Sequence, residues 1–252
     1  MNFKKIIKIT FISFVALLIL AAAVFYFSSR ELFNCLTIGE SYEFIERGSN
    51  IYISKDTPKK LQDSIIFILK ETDKRVCAFL NTDKLTKNPV RIFCYSNSLL
   101  SDYGGSNLIL TYKTPINSFI VFSKDRIDPD MLSHELLHAE FCSRTGYFKN
   151  KNIPVWFDEG LAMLVDYRKE YSEEKYSELK DSVETKIKLS ELAAPEKFYS
   201  GNHYVHFLAA RHEVYSWYNH VKIEGLKDLI NRTANGENFY LVYRELADKY
   251  SR

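Results

Sequence analysis

The chain is poor in the residues that mark several protein classes. Four cysteines in 252 residues are too few for a disulfide scaffold. Nine glycines and six prolines exclude collagen and low-complexity linkers. No internal repeat at solenoid periods is visible. Excess charge is also missing: the net value is +2, and Lys4, Lys5, Lys8 and Arg30 around an N-terminal apolar run account for it. The remaining 222 residues carry 30 basic against 32 acidic groups, so nothing electrostatic favours a nucleic-acid partner. What is present is ordinary for a folded protein: 46% hydrophobic and 26% charged residues, enough for one large domain or two small ones.

One long hydrophobic run stands out. Ile9–Phe27 (ITFISFVALLILAAAVFYF) has no charge over nineteen residues. As a helix it would reach roughly 28 Å, close to the hydrocarbon thickness of a bilayer. Three lysines precede it, whereas Arg30 and Glu31 cancel after it, so the positive-inside rule places the N-terminus in the cytoplasm and the body outside. Residues 1–30 are expected to form a single-pass anchor in the cell membrane. A cleaved signal peptide ending near Ala21-Ala22-Ala23 is the rival reading. Leu32-Phe33-Asn34 before Cys35 argues against lipidation of that cysteine. Outside the cytoplasm disulfides are permitted, and Cys35, Cys77, Cys94 and Cys142 allow three pairings or four buried thiols.

Residues 31–48 read as a polar stalk, and 49–252 as the working domain. Asn50–Ser54, Val90–Tyr95, Asn107–Tyr112 and Ser118–Ser123 have strand character, with an amphipathic helix from Pro58 to Leu80 after the first. Gly104-Gly105 signals a turn. Beyond Ser123 helices dominate: 129–144, 154–167, 172–186, 202–220, 225–232 and 237–250. Strands first and helices after give an α+β fold class, a small mixed sheet lobe followed by a helical lobe.

His134-Glu135-Leu136-Leu137-His138 carries the chemistry. Histidines at i and i+4 share one helix face, so both imidazoles can reach one ion. Glu135 lies about 100° round the helix, suited to a water beside the ion rather than to the ion itself. A catalytic Zn²⁺ takes three protein ligands and keeps a fourth position open. Glu159, in the helix that Pro154 opens, is the expected third ligand; Asp158 is expected to support a ligand or to be solvated. Gly160 and Ala162 would let this helix pack closely against the histidine-bearing one. Cys142, i+4 from His138, is expected to pack or to form a disulfide, since a fourth protein ligand would close the site. Trp156 and Trp217 read as core, and the helix over 171–184 as a solvated cover beside the entrance.

His-Glu-Leu-Leu-His followed by Pro-Val-Trp-Phe-Asp-Glu-Gly-Leu-Ala (Pro154–Ala162) resembles the gluzincin metallopeptidases, the peptidase MA-like group related to aminopeptidase N and thermolysin. The likeness covers residues 129–165, and more weakly Gly201–Leu208 and Gly236–Leu246. It implies a zincin-like fold, one zinc ion on His134, His138 and Glu159, and Glu135 as general base. Two departures stand out. Ser118–Phe122 has nothing like the Gly-x-Met-Glu-Asn amine motif of the aminopeptidases, so an exopeptidase is unsupported. The position of that branch's transition-state tyrosine is occupied by Phe198, which leaves Tyr199 one place on as the implied donor, with His203, Tyr204 and His206 as alternatives.

The sequence therefore predicts a membrane-anchored zinc endopeptidase acting on peptides or proteins outside the cytoplasm. An extended substrate is expected to add along Ser118–Ser123 as an edge strand. The alternative is a peptide-binding or scaffold protein that keeps the peptidase fold without turnover.

Overall fold

A computed structural model describes residues 3–105, 109–184 and 187–250. The N-terminal run lies in helix α1 (Phe3–Ser28), whose stretch Thr10–Ser28 is long and apolar enough to cross a membrane and is not buried against the rest of the protein.

Residues 31–48 do not form a stalk. Helix α2 (Arg30–Leu36) buries Cys35 completely, and strand β1 (Phe44–Glu46) pairs antiparallel with β2 (Ile51–Ser54), with Phe44 in the core. Asn34 Nδ2 donates to the Asp102 carbonyl at 2.7 Å, and Arg30 pairs with the Asp102 carboxylate at 2.9 Å. The apolar residues of this segment (Leu32, Phe33, Cys35, Leu36, Ile38, Tyr42, Phe44 and Ile45) fall in short broken groups with no sustained period. What recruits them is the sheet.

Helix α3 (Lys59–Phe79) follows Pro58, with Ile65, Leu69, Thr72 and Val76 buried on one face. Strand β3 (Val90–Cys94), helix α4 (Asn97–Asp102), strand β4 (Leu110–Lys113) and strand β5 (Ser118–Ser123) complete the first half. The first residues of the strand expected over Asn107–Tyr112 lie outside the described residues. The five strands run in the order β1-β2-β3-β5-β4, with β2, β3 and β5 parallel and both edges antiparallel. β3 and β5 are buried along their whole length. Phe93, Ile120 and Phe122 face a cluster with α3, whereas Ile92, Cys94, Phe119 and Val121 face Cys35, Phe44 and Leu100. Strands apolar on both faces need two covers. α2 and α4 supply the second.

Ser118–Ser123 is thus an interior strand, not an edge. β4 caps it on the outside, joined through a hairpin in which Thr114 Oγ1 donates to the Asn117 carbonyl at 2.7 Å. The sequence of β5 is itself the reason: six consecutive buried positions leave no solvated side for an edge to expose.

After β5 no further strand occurs among the described residues. Asp128 caps helix α5 (Pro129–Thr145), its side chain accepting from Asp130 N at 2.8 Å, with Pro129 in the first turn. Gly146, at φ 81°, ends it in a conformation that glycine adopts without penalty. Short α6 (Tyr147–Asn150), then α7 (Val155–Ala162), α8 (Glu173–Glu184) and α9 (Pro195–Phe198) precede the long α10 (His203–Ala234) and α11 (Phe239–Tyr250). The helix expected over 172–186 stops at Glu184 in the described part, and 185–186 lie outside it. The two helices expected over 202–220 and 225–232 are present within α10, separated by a kink at Lys222 (φ 59°, ψ −167°). α7 ends five residues before the expected Tyr167, where the chain turns and places Asp166 beside His134 and the Val165 carbonyl 3.1 Å from Arg75. Trp156 and Trp217 lie in the core, as expected. The architecture is mixed α/β: one five-stranded sheet, then helices.

Candidate metal centre

His134, Glu135 and His138 come from α5, and Asp158 and Glu159 from α7. The two helices meet where the histidine face of α5 is buried. The close approach at Gly160 is to α10 behind α7, not to the histidine-bearing α5 as expected: a Cβ there would lie 2.4 Å from the Ala210 carbonyl oxygen and 2.7 Å from Val214 Cγ2. Gly160→Ala should therefore cost about 1–3 kcal/mol in stability and shift Glu159 beside it. Denaturant unfolding, run beside a metal titration, checks both effects.

The three expected ligands converge. His134 Nε2 and His138 Nε2 are 3.1 Å apart, and Glu159 Oε2 lies 3.2 Å from the first and 3.3 Å from the second. All three residues are buried, and among the described residues they form the group able to hold an ion. Donors at about 2.0–2.1 Å from a tetrahedral centre stand about 3.3 Å apart. The triangle thus has the dimensions of one tetrahedral face, and its donor set of two imidazoles and a carboxylate suits a divalent metal ion.

The far nitrogen of each imidazole is also addressed. Asp158 Oδ1 lies 3.1 Å from His138 Nδ1, and its other oxygen accepts from Lys113 Nζ at 2.5 Å. Asp158 therefore stands behind His138, turned away from the Nε2 side. Asp166 Oδ2 lies 3.6 Å from His134 Nδ1, a buried nitrogen with no closer partner. Asp166 is itself wholly buried and gripped by Arg168, whose Nε is 2.9 and 3.0 Å from the two carboxylate oxygens. A carboxylate hydrogen-bonded to the far nitrogen fixes ring orientation and tautomer, as Asp158 does for His138. The sequence reading singled out none of Lys113, Asp166 and Arg168.

Tyr199 does reach the site: its hydroxyl donates to Glu159 Oε1. Phe198 instead points into the core, fully buried. Of the alternatives, Tyr204 donates to the Glu170 carbonyl at 2.7 Å and His206 Nδ1 lies 2.7 Å from the Phe198 carbonyl, so both serve packing. His203 lines the cavity. Cys142 is buried and free, its thiol pKa raised by burial; Cys35, Cys77 and Cys94 are free as well.

A cavity of about 1020 Å³ opens over the triangle. Thr111 and Lys113 of β4 form one wall, Met131, Ile153 and Phe207 supply apolar lining, and Tyr171 lies beside the approach to α8. Glu135 faces this space half-buried, and its carboxylate makes no hydrogen bond or ion pair among the described residues.

Charge in the centre is tightly balanced. Burial alone lowers the His138 pKa, but the Asp158 and Glu159 carboxylates outweigh it and hold the imidazole up at about 10. Burial raises the Asp158 pKa, and the Lys113 ammonium with His138 overcomes this, bringing it down to about 2. Glu159 is likewise held well below the carboxylate range, against burial, by both histidines. Burial and the Glu159 carboxylate push the Tyr199 phenol up. In chelator-treated protein the His138 contribution to stability is complete below pH 6.5 and fades as pH rises through about 10. That of Asp158 is complete above pH 3.8 and fades as pH falls through about 2. The melting temperature of that form should peak between pH 4 and 6.5. A metal ion entering the site at pH 7 would displace the His138 proton, so the heat of binding should vary with the ionisation enthalpy of the buffer.

Comparison with models of known protein families gives no match, and comparison with curated proteins gives none either.

Proposed function

We propose that this chain is a zinc-dependent endopeptidase of the gluzincin type, held at the membrane by its N-terminal helix with its working domain outside the cytoplasm. One observation carries the reading: a buried triangle of two imidazole nitrogens and a carboxylate oxygen with sides of 3.1, 3.2 and 3.3 Å, opening on a large cleft. Two histidines with one carboxylate is a catalytic rather than a structural zinc set, because three protein ligands leave a tetrahedral position free.

Zinc bound there would supply Lewis acidity toward a carbonyl and a water whose pKa falls to about 7. The chain supplies the rest. Glu135, unpartnered in the cleft, accepts the proton of the attacking water and returns it to the departing amine. Edge strand β4 offers unpaired main-chain groups to an extended peptide, the role expected of Ser118–Ser123. Tyr199 stands beside the ligand Glu159, and its raised pKa keeps it a donor at neutral pH, suited to the developing oxyanion. Lys4, Lys5 and Lys8, in the first turns of α1 ahead of its apolar stretch, support the assigned orientation in the membrane.

The test is elemental analysis of the purified full chain together with digestion of a broad peptide library. One zinc per chain is expected, with cleavage abolished by chelator and restored by zinc. A zinc-loaded protein that leaves the library intact would favour the non-catalytic binding alternative.

A further inference from the structure

We propose that Lys113 is a positioning residue for the metal centre: from the edge strand it clamps Asp158 in the orientation that fixes the ring of His138. This rests on the metal-binding reading above. Alternation along β4 sends neighbouring side chains to opposite faces. Tyr112 joins the cluster of Cys35 and Phe44 on one side of the sheet. On the other, Thr111 Oγ1 donates to the Glu135 carbonyl at 3.4 Å and Lys113 Nζ donates to Asp158 Oδ2 at 2.5 Å. One face of this strand is therefore fastened to both metal-bearing helices.

Burying an ammonium is costly unless it is paired, and Lys113 is largely buried, with Asp158 as its ion-pair partner. Asp158 is shared end to end, one oxygen on Lys113 and the other on His138 Nδ1. A carboxylate held at both oxygens cannot swing without losing a partner. The imidazole it orients then presents Nε2 to the triangle. The His-Glu-x-x-His spacing encodes none of this, because the cation comes from the sheet.

The sign of the effect separates this role from simple electrostatics. A bystander ammonium repels an incoming dication, so its removal would tighten zinc binding. A positioning ammonium does the opposite. In full-length protein, chelator competition should show K113M binding zinc about 10–100-fold more weakly than wild type, the usual loss when a group supporting a ligand is removed. K113R should recover most of that loss. D158N should weaken binding to a similar degree, and K113M added to D158N should change nothing further, since the lysine acts through the aspartate. Melting of the chelator-treated variants verifies folding, and if K113M does not fold, K113R and D158N carry the comparison. Unchanged or tighter zinc binding by K113M overturns the proposal, as does full additivity with D158N or no recovery by arginine. A wild-type chain that takes up no zinc would instead remove the metal-binding reading beneath it.

Discussion

Glu135→Gln should leave zinc binding at the wild-type level and slow peptide cleavage by about 10²–10⁴-fold, the usual contribution of a positioned acid–base group. The two halves of this expectation come from different facts. Glu135 lies outside the donor triangle, so replacing its carboxylate by an amide of nearly the same shape leaves His134, His138 and Glu159 as they are. Its side chain faces the cleft without a hydrogen bond or ion pair among the described residues, so the change breaks no structural contact. What is lost is the capacity to take a proton, which an amide lacks at neutral pH. Zinc content and kcat/KM measured on one preparation decide it. Cleavage at the wild-type rate by zinc-loaded E135Q would remove Glu135 as the base. A zinc-free variant would instead mean that the glutamate helps to build the site.

The parts of this centre that were legible in the sequence are those encoded by helical spacing and helix-end chemistry. His134 and His138 fall on one face because four residues make about one turn, and Asp128-Pro129 and Gly146 bound their helix by capping and by a left-handed stop. Glu159 follows a proline start, and the small Gly160 after it signals a close approach, though to α10 rather than to α5. What escaped reading has no local signature. Lys113 sits in a strand that looks like any short edge, and Asp166 in a turn that the periodicity of α7 appeared to continue through. Their roles arise only when sheet and helices are brought together. Residues 31–48 depart from the expected stalk for a related reason. Cys35 and Phe44 stand in short apolar groups with no sustained period, and their burial is dictated by the uncovered face of β3 and β5. Likewise Ser118–Ser123 is identifiable as a strand from its composition, whereas its interior place depends on the hairpin that folds β4 outside it.

Glu159→Ala should cost the protein its zinc, and with it all cleavage. Structural zinc sites bind with about 10–16 kcal/mol shared over four ligands, so one ligand is worth roughly 3 kcal/mol, on the order of a hundredfold in affinity. Two further losses act in the same direction. The Glu159 carboxylate offsets the dication's charge in a buried site, and its removal takes the only carboxylate out of the donor triangle: Asp158 is committed to Lys113 behind His138, and Asp166 to Arg168 behind His134. Tyr199 also loses the acceptor for its hydroxyl. Glu159→Gln separates charge from contact: it keeps an oxygen near the triangle and the partner of Tyr199 but removes the negative charge, so its zinc affinity should fall between wild type and E159A. Asp158→Ala should instead retain zinc, bound more weakly, because Asp158 orients a ligand without being one. Chelator competition across the three variants orders them as D158A, then E159Q, then E159A from tightest to weakest. A zinc-replete E159A protein would assign the third ligand elsewhere, and equal losses in D158A and E159A would make the two carboxylates interchangeable, contrary to the opposite sides of His138 on which they stand.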